Sequence, residues 1–547
     1  MGLPFIKTPK AASPIEEAKQ VPIECPFDEE PNPPPEKSAI RFWILSFGIC
    51  LGLFLSIIDS SIVATALFTI GNDFKDLEAI NWIALAYTLA YLGCAVAFAH
   101  VSDVIGRRDA FLLASVLFFA FSMASGFAQN IHQLIALRTI QGIGGSGLYS
   151  LTMVILPEIC PPSHLKFIGS LIGMVIVFSG VLGPLLGGAL TQFTQWRWIF
   201  WINGPIAVVS MTIFLLAWPS KSQHNPPSRL QWKNFDFFGT LLIIAASVLI
   251  VFAFQRAGET SRNIFSSSIF IAPLTTGLLC WGGVFVWAFL VEIGRFGAGL
   301  VPALPFKLFR NRHYTSAALT TLLIGYPYLQ IIFTFPSRAQ IVSGKSVMMS
   351  GLELLPLVGG SALGSVIGGM VNGKKNFLFE TIATGCCFTL LGCGLLSTVQ
   401  GRADDAKALG FLVFAGLGFG LSTAAATMLV TFEAAIADAA SAHGILAQMR
   451  ILGGSIGIAT ATILLRNKLS DVSKGPISAI VEQDGAVAMS LAYSSAFRAG
   501  MKVCSILSGI AVMVSILGFR RTRMDMNEQR AKLFREEEIR RANERPQ

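Results

Sequence analysis

Two ionisable residues, Asp59 and Arg138, stand in stretches that are otherwise apolar, and that placement is the first chemistry the sequence offers. Asp59 interrupts the block from Ile44 to Ala66, and Arg138 falls inside another block near residues 132–155. An ion in hydrocarbon is costly, so such residues face a protein interior or a wet path and tend to be functional. Desolvation disfavours the charged form of a carboxylate, so an acid in an apolar cavity can bind and release a proton. An unpaired guanidinium in the same setting calls for an acid, a substrate or water. Two readings of the pair stay open on these residues: a proton-exchanging couple and a structural salt bridge.

The elements that must carry them follow from hydropathy. A bilayer core takes about 20 apolar residues per helix. Blocks of that length are predicted near residues 43–66, 81–100, 109–128, 132–155, 166–190, 199–217, 237–255, 268–291, 314–335, 347–371, 376–398, 407–430, 444–465 and 498–518. The chain therefore reads as an all-α polytopic membrane protein with fourteen spanning helices. Spacing groups them as six, two and six. The expected organisation is a polar N-terminal tail over 1–41, a six-helix bundle over 42–218 and a loop over 219–236. Two linker helices over 237–292, a loop over 293–313, a second six-helix bundle over 314–518 and a C-terminal tail over 519–547 complete it. Duplicated halves of this kind place a substrate site between them, near the bilayer midplane.

Composition agrees. Of 547 residues, 53% are hydrophobic and 13% charged, against about 25% charged in soluble domains. The net charge of +9 is consequently no nucleic-acid signal. Lys37, Arg41, Arg107, Arg108, Lys166, Lys221, Arg229 and Lys233 gather on one side of the first half, with only Lys75 and Arg197 opposing them. That bias makes both tails cytoplasmic. The C-terminal tail, through Arg520, Arg521 and Arg523, suits acidic lipid headgroups. Cysteines lie mainly in apolar blocks (Cys50, Cys94, Cys280, Cys386, Cys387, Cys393, Cys504), as packing residues with no metal-ligand spacing.

Between the second and third blocks runs Ala99-His-Val-Ser-Asp103-Val-Ile-Gly106-Arg107-Arg108. Gly106 suits a tight turn, and Asp103 can pair with a cation or a helix N-terminus, locking two bundles in one conformation. The segment resembles the signature loop of the major facilitator superfamily, with Ala99 in place of its first glycine. Three further segments carry the resemblance. Arg138-Thr-Ile-Gln141-Gly142 is similar to the family's R-x-x-Q-G motif, and Gly183-Pro184-Leu-Leu-Gly187-Gly188 to its antiporter motif. Asp59-Ser-Ser-Ile-Val-Ala64-Thr65-Ala66-Leu67 is similar to the first-helix pattern of the fourteen-helix drug:proton antiporters, with Ser61 and Phe68 departing from it. The likeness spans about residues 42–518 and is greatest to fungal exporters of drugs, toxins and secondary metabolites. It implies proton coupling through Asp59 and Arg138, supported by Gln141, Gly142 and Thr65. It further implies a lock at Asp103, Gly106, Arg107 and Arg108, and a hinge or seal at Gly183, Pro184, Gly187 and Gly188. Pro184 removes a helix hydrogen bond and the glycines admit a close neighbour, which generic small-residue packing would also do.

The second half is chemically thinner. Val371-Asn-Gly373-Lys374-Lys375 occupies the position of a duplicate lock but has lost the acid. Gly344-Lys345-Ser346 is no phosphate loop, because Ala339 stands where the Walker pattern needs glycine. Glu353 is expected at the interface, Arg450 at the cytoplasmic end of its helix, and Glu433 and Asp438 in solvent. Trp196-Arg197-Trp198 with Asn203-Gly-Pro205 reads as an interfacial aromatic belt. The loop over 467–497 is long enough for a short surface helix.

The leading reading is a major facilitator transporter that exports amphipathic small organic molecules against inward proton flow. Its partners would be the substrate, protons and membrane lipid, with no nucleic acid. It sits in the plasma membrane, a vacuolar membrane being the alternative. Uptake of a siderophore or nutrient and a non-transporting sensor are the competing classes. An enzyme is not expected: the histidines (His100, His132, His164, His224, His313, His443) are scattered and read as neutral interfacial residues. No metal or other cofactor is implied.

Overall fold

The computed structural model describes residues 36–63, 66–76, 79–160, 165–219, 231–259, 267–294, 300–372, 376–435, 438–474 and 485–519, with Arg535. Both predicted tails fall almost wholly outside the described residues, as do Thr65, His164, His224, Lys374 and Lys375. Among the described residues, fourteen helices are long and apolar enough to span a bilayer: α1 (Ile40–Ile62), α2 (Trp82–Ile105), α3 (Arg107–Gly126), α4 (Ile131–Ile159), α5 (Leu171–Phe193), α6 (Trp198–Ala217) and α7 (Phe237–Ala257), then α8 (Ser268–Glu292), α9 (Arg312–Ile341), α10 (Met348–Val371), α11 (Leu378–Leu396), α12 (Arg402–Glu433), α13 (Ala439–Leu469) and α14 (Val487–Ile516). The fold is that of a multi-pass membrane protein with two six-helix bundles and two inserted helices. An even number of spans returns the chain to the face it leaves. His313 Nδ1, at the start of α9, lies 3.1 Å from the Gly518 carbonyl just past α14. The face holding the start of α1 and the end of α14 is called the terminal face below.

Small residues set the packing. Helix α4 is the most enclosed span, with 83% of its central window buried, and α8 the least, with 17%. A Cβ on Gly142 would stand 3.1 Å from the Tyr87 Cα, so only glycine lets α4 come this close to α2. Such close backbone approach substitutes for the hydrophobic drive that lipid does not supply. Arg41 ties α1 to the end of α6, donating to the carbonyls of Ala217 at 3.0 Å and Trp218 at 2.6 Å.

The halves meet along two flanks. On one, α5 lies against α10 and α12: a Cβ on Gly169 would touch the Ala424 Cα at 3.2 Å. On the other, α7 bridges α2 and α13. Gly93 of α2 faces Ile244 and Val248 of α7, and Gln448 of α13 donates to Ser247 at 2.5 Å. At the terminal face Ala99, Val154 and Ala440 form an apolar cluster across the halves, and Gly444 packs on Ala99.

Three boundaries differ from expectation. Helix α2 continues to Ile105, because His100 meets Asp236 and both Ser102 and Asp103 are bonded by Arg107 of α3. The last helix begins at Gly485 rather than near residue 498, and the helix containing α13 runs on to Lys474. Residues 475–484, where the rest of the expected long loop falls, lie outside the described residues. The apolar residues Val487, Met489, Leu491 and Tyr493 lengthen the span on the N-terminal side of Arg498.

Candidate functional site

Asp59 and Arg138 are fully buried and paired through Arg138 NH1 and Asp59 Oδ2. The pair is the centre of a larger polar cluster. Gln141, one turn along α4 from Arg138, accepts from the guanidinium at 2.9 Å and donates to Asp59 Oδ1 at 3.0 Å. Asn203 of α6 donates to the same Oδ1 at 2.8 Å and to Ser122 of α3 at 3.1 Å. The guanidinium carbon lies 4.1 Å from the Tyr87 ring centre and 5.5 Å from that of Phe200. A cation over aromatic faces is stabilised by the ring quadrupole. Tyr87 in turn donates to the Ser56 carbonyl at 2.8 Å, one turn before Asp59. Arg138 Nε and Asn203 Oδ1 are buried without a partner. The carboxylate thus receives hydrogen bonds from three side chains on two helices, an arrangement whose balance a single proton on Asp59 would change.

Sequence reading placed Asn203 in the interfacial belt, whereas it is fully buried beside Asp59, and it missed Tyr87. Asn203 had a signal, an amide inside an apolar helix. Tyr87 had none, because hydropathy does not say which face of α2 points inward. The aromatic belt is also only half correct. Trp198 is exposed, whereas Trp196 is buried and donates to Asp73 at 2.9 Å, holding the short helix Leu67–Phe74.

Gly183 is buried against α1: its absent Cβ would lie 2.9 Å from the Ser61 Cβ and 3.1 Å from the Ile58 carbonyl. The antiporter-like stretch therefore packs beside Asp59 itself. The helix is continuous through Pro184; Gly187 is buried and Gly188 half-buried.

At the terminal face Gly106 takes φ 99°, a region open to glycine at no steric cost, and joins α2 to α3. Arg107 then pairs with Asp103 at 2.7 Å and with Glu158 at the end of α4 at 2.9 Å. Arg108 is exposed and stands outside this cluster. Beside it His100 is fully buried, stacked on Phe235 at 4.5 Å, which corrects its expected interfacial place. Asp236, just before α7, takes hydrogen bonds from Gly239 N at 2.7 Å, Trp287 at 2.9 Å and Ala303 N at 3.2 Å. These bonds join both linker helices to Asp236, whose own N–H points to His100 Nε2 of α2 at 3.5 Å.

Three expectations for the second half change. Arg450 is buried near the middle of α13, not at its end, and donates to Tyr149 of α4 at 3.2 Å. Asp438 is buried and paired with Lys307 at 2.7 Å, and Glu433 accepts from Asn311 at 2.8 Å, so neither is simply solvated. His443 is buried with Thr431 at 3.3 Å. Glu353 is mostly buried and bound to Lys345, which also reaches Asp405 at 3.4 Å; Asp405 pairs with buried Arg338 at 3.1 Å. This ionic cluster lies at the face opposite the termini. At the duplicate of the Asp103 loop, Asn372 makes neutral bonds, donating to the Gly368 carbonyl and Thr381, each at 2.8 Å, and accepting from Phe377 N at 3.1 Å. No grouping of metal-ligating side chains occurs among the described residues.

Comparison with known proteins fits this architecture. Residues 49–458 match the Major Facilitator Superfamily, and the chain belongs to that family. It is 31% identical over 439 residues to the MFS-type transporter FPY5 of Fusarium mangiferae, covering 78% of this chain and 73% of that one. It is 28% identical to the efflux pump FUS6 of Gibberella fujikuroi, covering 85% and 83%, and 28% identical to multidrug resistance protein 3 of Bacillus subtilis, covering 80% and 83%. Among solved structures, a bacterial homologue of the lysosomal transporter Spinster, inward-facing and unoccupied, superposes with a TM-score of 0.54 at 15% identity, covering 87% and 96%. A double-Trp mutant of XylE does so at 0.56 and 12%, covering 90% and 99%. At such identities these structures share the fold alone. As a member of the family, this chain is a membrane transporter of small molecules.

Proposed function

We propose that the protein is a proton-coupled exporter of amphipathic organic molecules, the class that includes drugs, mycotoxins and other secondary metabolites. The observation that carries this reading is the fully buried Asp59–Arg138 pair, bridged by Gln141 and Asn203. Buried ions without solvent are expensive, and a carboxylate held by three donors loses its charge and part of its accepting capacity when it takes a proton, which weakens its hold on them. The names of two relatives, an efflux pump and a multidrug resistance protein, support the direction of transport. In this mechanism a proton entering from the face opposite the termini neutralises Asp59. Arg138 and Asn203 then lose their anion, α1 shifts against α4 and α6, and the seam at Gly183 and Pro184 follows. Asp103, Arg107 and Glu158 hold the terminal face shut until that shift occurs. The excess of cations around these residues sets the terminal face in the cytoplasm, and the plasma membrane is the proposed location.

The test is efflux of a fluorescent-drug panel from drug-sensitive yeast expressing wild type or Asp59→Asn, with and without a protonophore. Export abolished by both treatments is expected. Export persisting in the variant removes Asp59 from coupling, and accumulation in place of export turns the reading to uptake.

A further inference from the structure

Resting on the reading of a transporter whose substrate passes between its halves, a second buried cation specifies what that substrate carries. Arg450 is 6% exposed, at the twelfth residue of a 31-residue span, facing α4 of the other half. Among the described residues only NH1 has a partner, the Tyr149 hydroxyl at 3.2 Å; Nε and NH2 are buried and unpartnered there. Arg138 and Arg338 are as buried, and each is matched by a carboxylate. Arg450 has no carboxylate partner among the described residues. A buried guanidinium with an open fork of donors is costly to the folded chain unless something supplies the anion.

Its surroundings are aromatic. Tyr328 of α9 stands one turn beyond Gly325, which packs on the Arg450 main chain, and its hydroxyl is buried without a partner among the described residues. Its ring stacks on Phe419 of α12 with centres 3.6 Å apart and planes within 7°. The position is fixed by backbone: Gly325 admits the Arg450 main chain, where any Cβ would press on its Cα at 3.2 Å. Flat rings beside a bidentate donor form a site with orientation as well as charge. A row of rings joins it to the buried acid: Tyr149 lies 5.8 Å from Tyr91, Tyr91 stacks 5.6 Å from Tyr87, and Tyr87 supports Arg138.

We infer that Arg450, with Tyr149 and Tyr328, is the anchor for an aromatic organic anion, a carboxylate taken bidentately by the free edge of the guanidinium. The substrate's charge completes an ion pair that the protein leaves open between its halves.

The experiment is equilibrium binding to the purified full-length protein in lipid nanodiscs, read by fluorescence polarisation. The probes are fluorescein, an aromatic carboxylate, and rhodamine 6G, an esterified cation on the same ring frame. Wild type is expected to prefer fluorescein by about tenfold or more, the effect of one charge-assisted hydrogen bond. Arg450→Gln is expected to lose that preference while keeping rhodamine 6G. Arg450→Lys is expected to keep part of it, a point charge replacing the fork. Equal binding of the two probes by wild type, no binding of fluorescein, or undiminished preference in Arg450→Gln overturns the inference. Should Arg450→Gln lose both probes, Arg450→Lys decides: retained preference supports the anchor, and loss of both overturns it. Sided transport of fluorescein in proteoliposomes separates this from the export reading. Arg450-dependent binding with transport in the direction of proton flow would sink export and leave the anion site standing.

Discussion

Asn203 of α6 donates to Asp59 of α1 at 2.8 Å across 144 residues of sequence, and it is the contact that turns an ion pair into a three-helix junction. Through it, one proton on Asp59 is felt on α1, α4 and α6 together. Asn203→Ala is expected to fold, since Ser122 can turn its hydroxyl to the Phe200 carbonyl it already bonds at 2.9 Å. Protonophore-sensitive efflux should fall by about ten- to a hundredfold, the range for losing a hydrogen bond to a charged group. Unchanged efflux would show that α6 takes no part.

Charge balance in the same cluster governs stability separately from transport. Arg138→Met leaves Asp59 buried and unpaired, and should destabilise the protein by about 3–5 kcal/mol. The double variant Asp59→Asn, Arg138→Met removes both charges and should recover most of that loss while remaining inactive. Thermal unfolding in detergent, measured alongside transport, separates the two effects. Equal destabilisation of single and double variants would mean that packing, not charge, dominates.

The terminal-face seal predicts a cross-link. A Cβ on Gly444 of α13 would stand 2.9 Å from the Ala99 Cβ of α2, closer than the about 3.8 Å of a disulfide, so the two helices must part slightly for the bond to form. Ala99→Cys with Gly444→Cys should form a bond on mild oxidation, stop transport, and recover on reduction. Adding Arg107→Ala, which frees Asp103 and Glu158, should slow the cross-link by loosening the closed state. A cross-linked protein that still transports would show that this face need not open.

Lys345 links the loop after α9 to Glu353 and Asp405. Its hydrogen bond to Glu353, reinforced by the charges of Glu353 and Asp405, raises its pKa above the ordinary 10.5. A cation with a raised folded-state pKa stabilises fully below its unfolded value, and that contribution disappears as pH rises through the folded value. Wild type should therefore lose thermal stability above about pH 10.5, relative to Lys345→Met, whose melting temperature lacks this component. Parallel pH curves for the two proteins would show that the cluster contributes nothing. Because Lys345 is partly exposed, salt should weaken the effect.

The class of fold was legible early because a bilayer imposes length and apolarity on every span, and no other physics produces fourteen such blocks. Asp59, Arg138 and the Asp103-to-Arg108 loop were legible for the complementary reason: a charge inside a span, or clustered at its end, violates the pattern that surrounds it. Gln141 and Gly142 came with the motif that holds Arg138.

Tertiary structure alone decided the partners. Nothing local marks Tyr87 as the ring beneath Arg138 or Glu158 as the second acid on Arg107, since hydropathy is the same whichever way a span is rotated. Arg450 shows this most plainly. Its distance from the start of the apolar run suggested a helix end, whereas the longer helix α13 and the glycine seam with α9 place it near midspan, against Tyr149 of the other half. Sequence by itself determined how many helices cross the membrane and which charges they carry. Only the packing of backbone on backbone, set by glycines whose neighbours are hundreds of residues away, decided which charges meet and which one is left open.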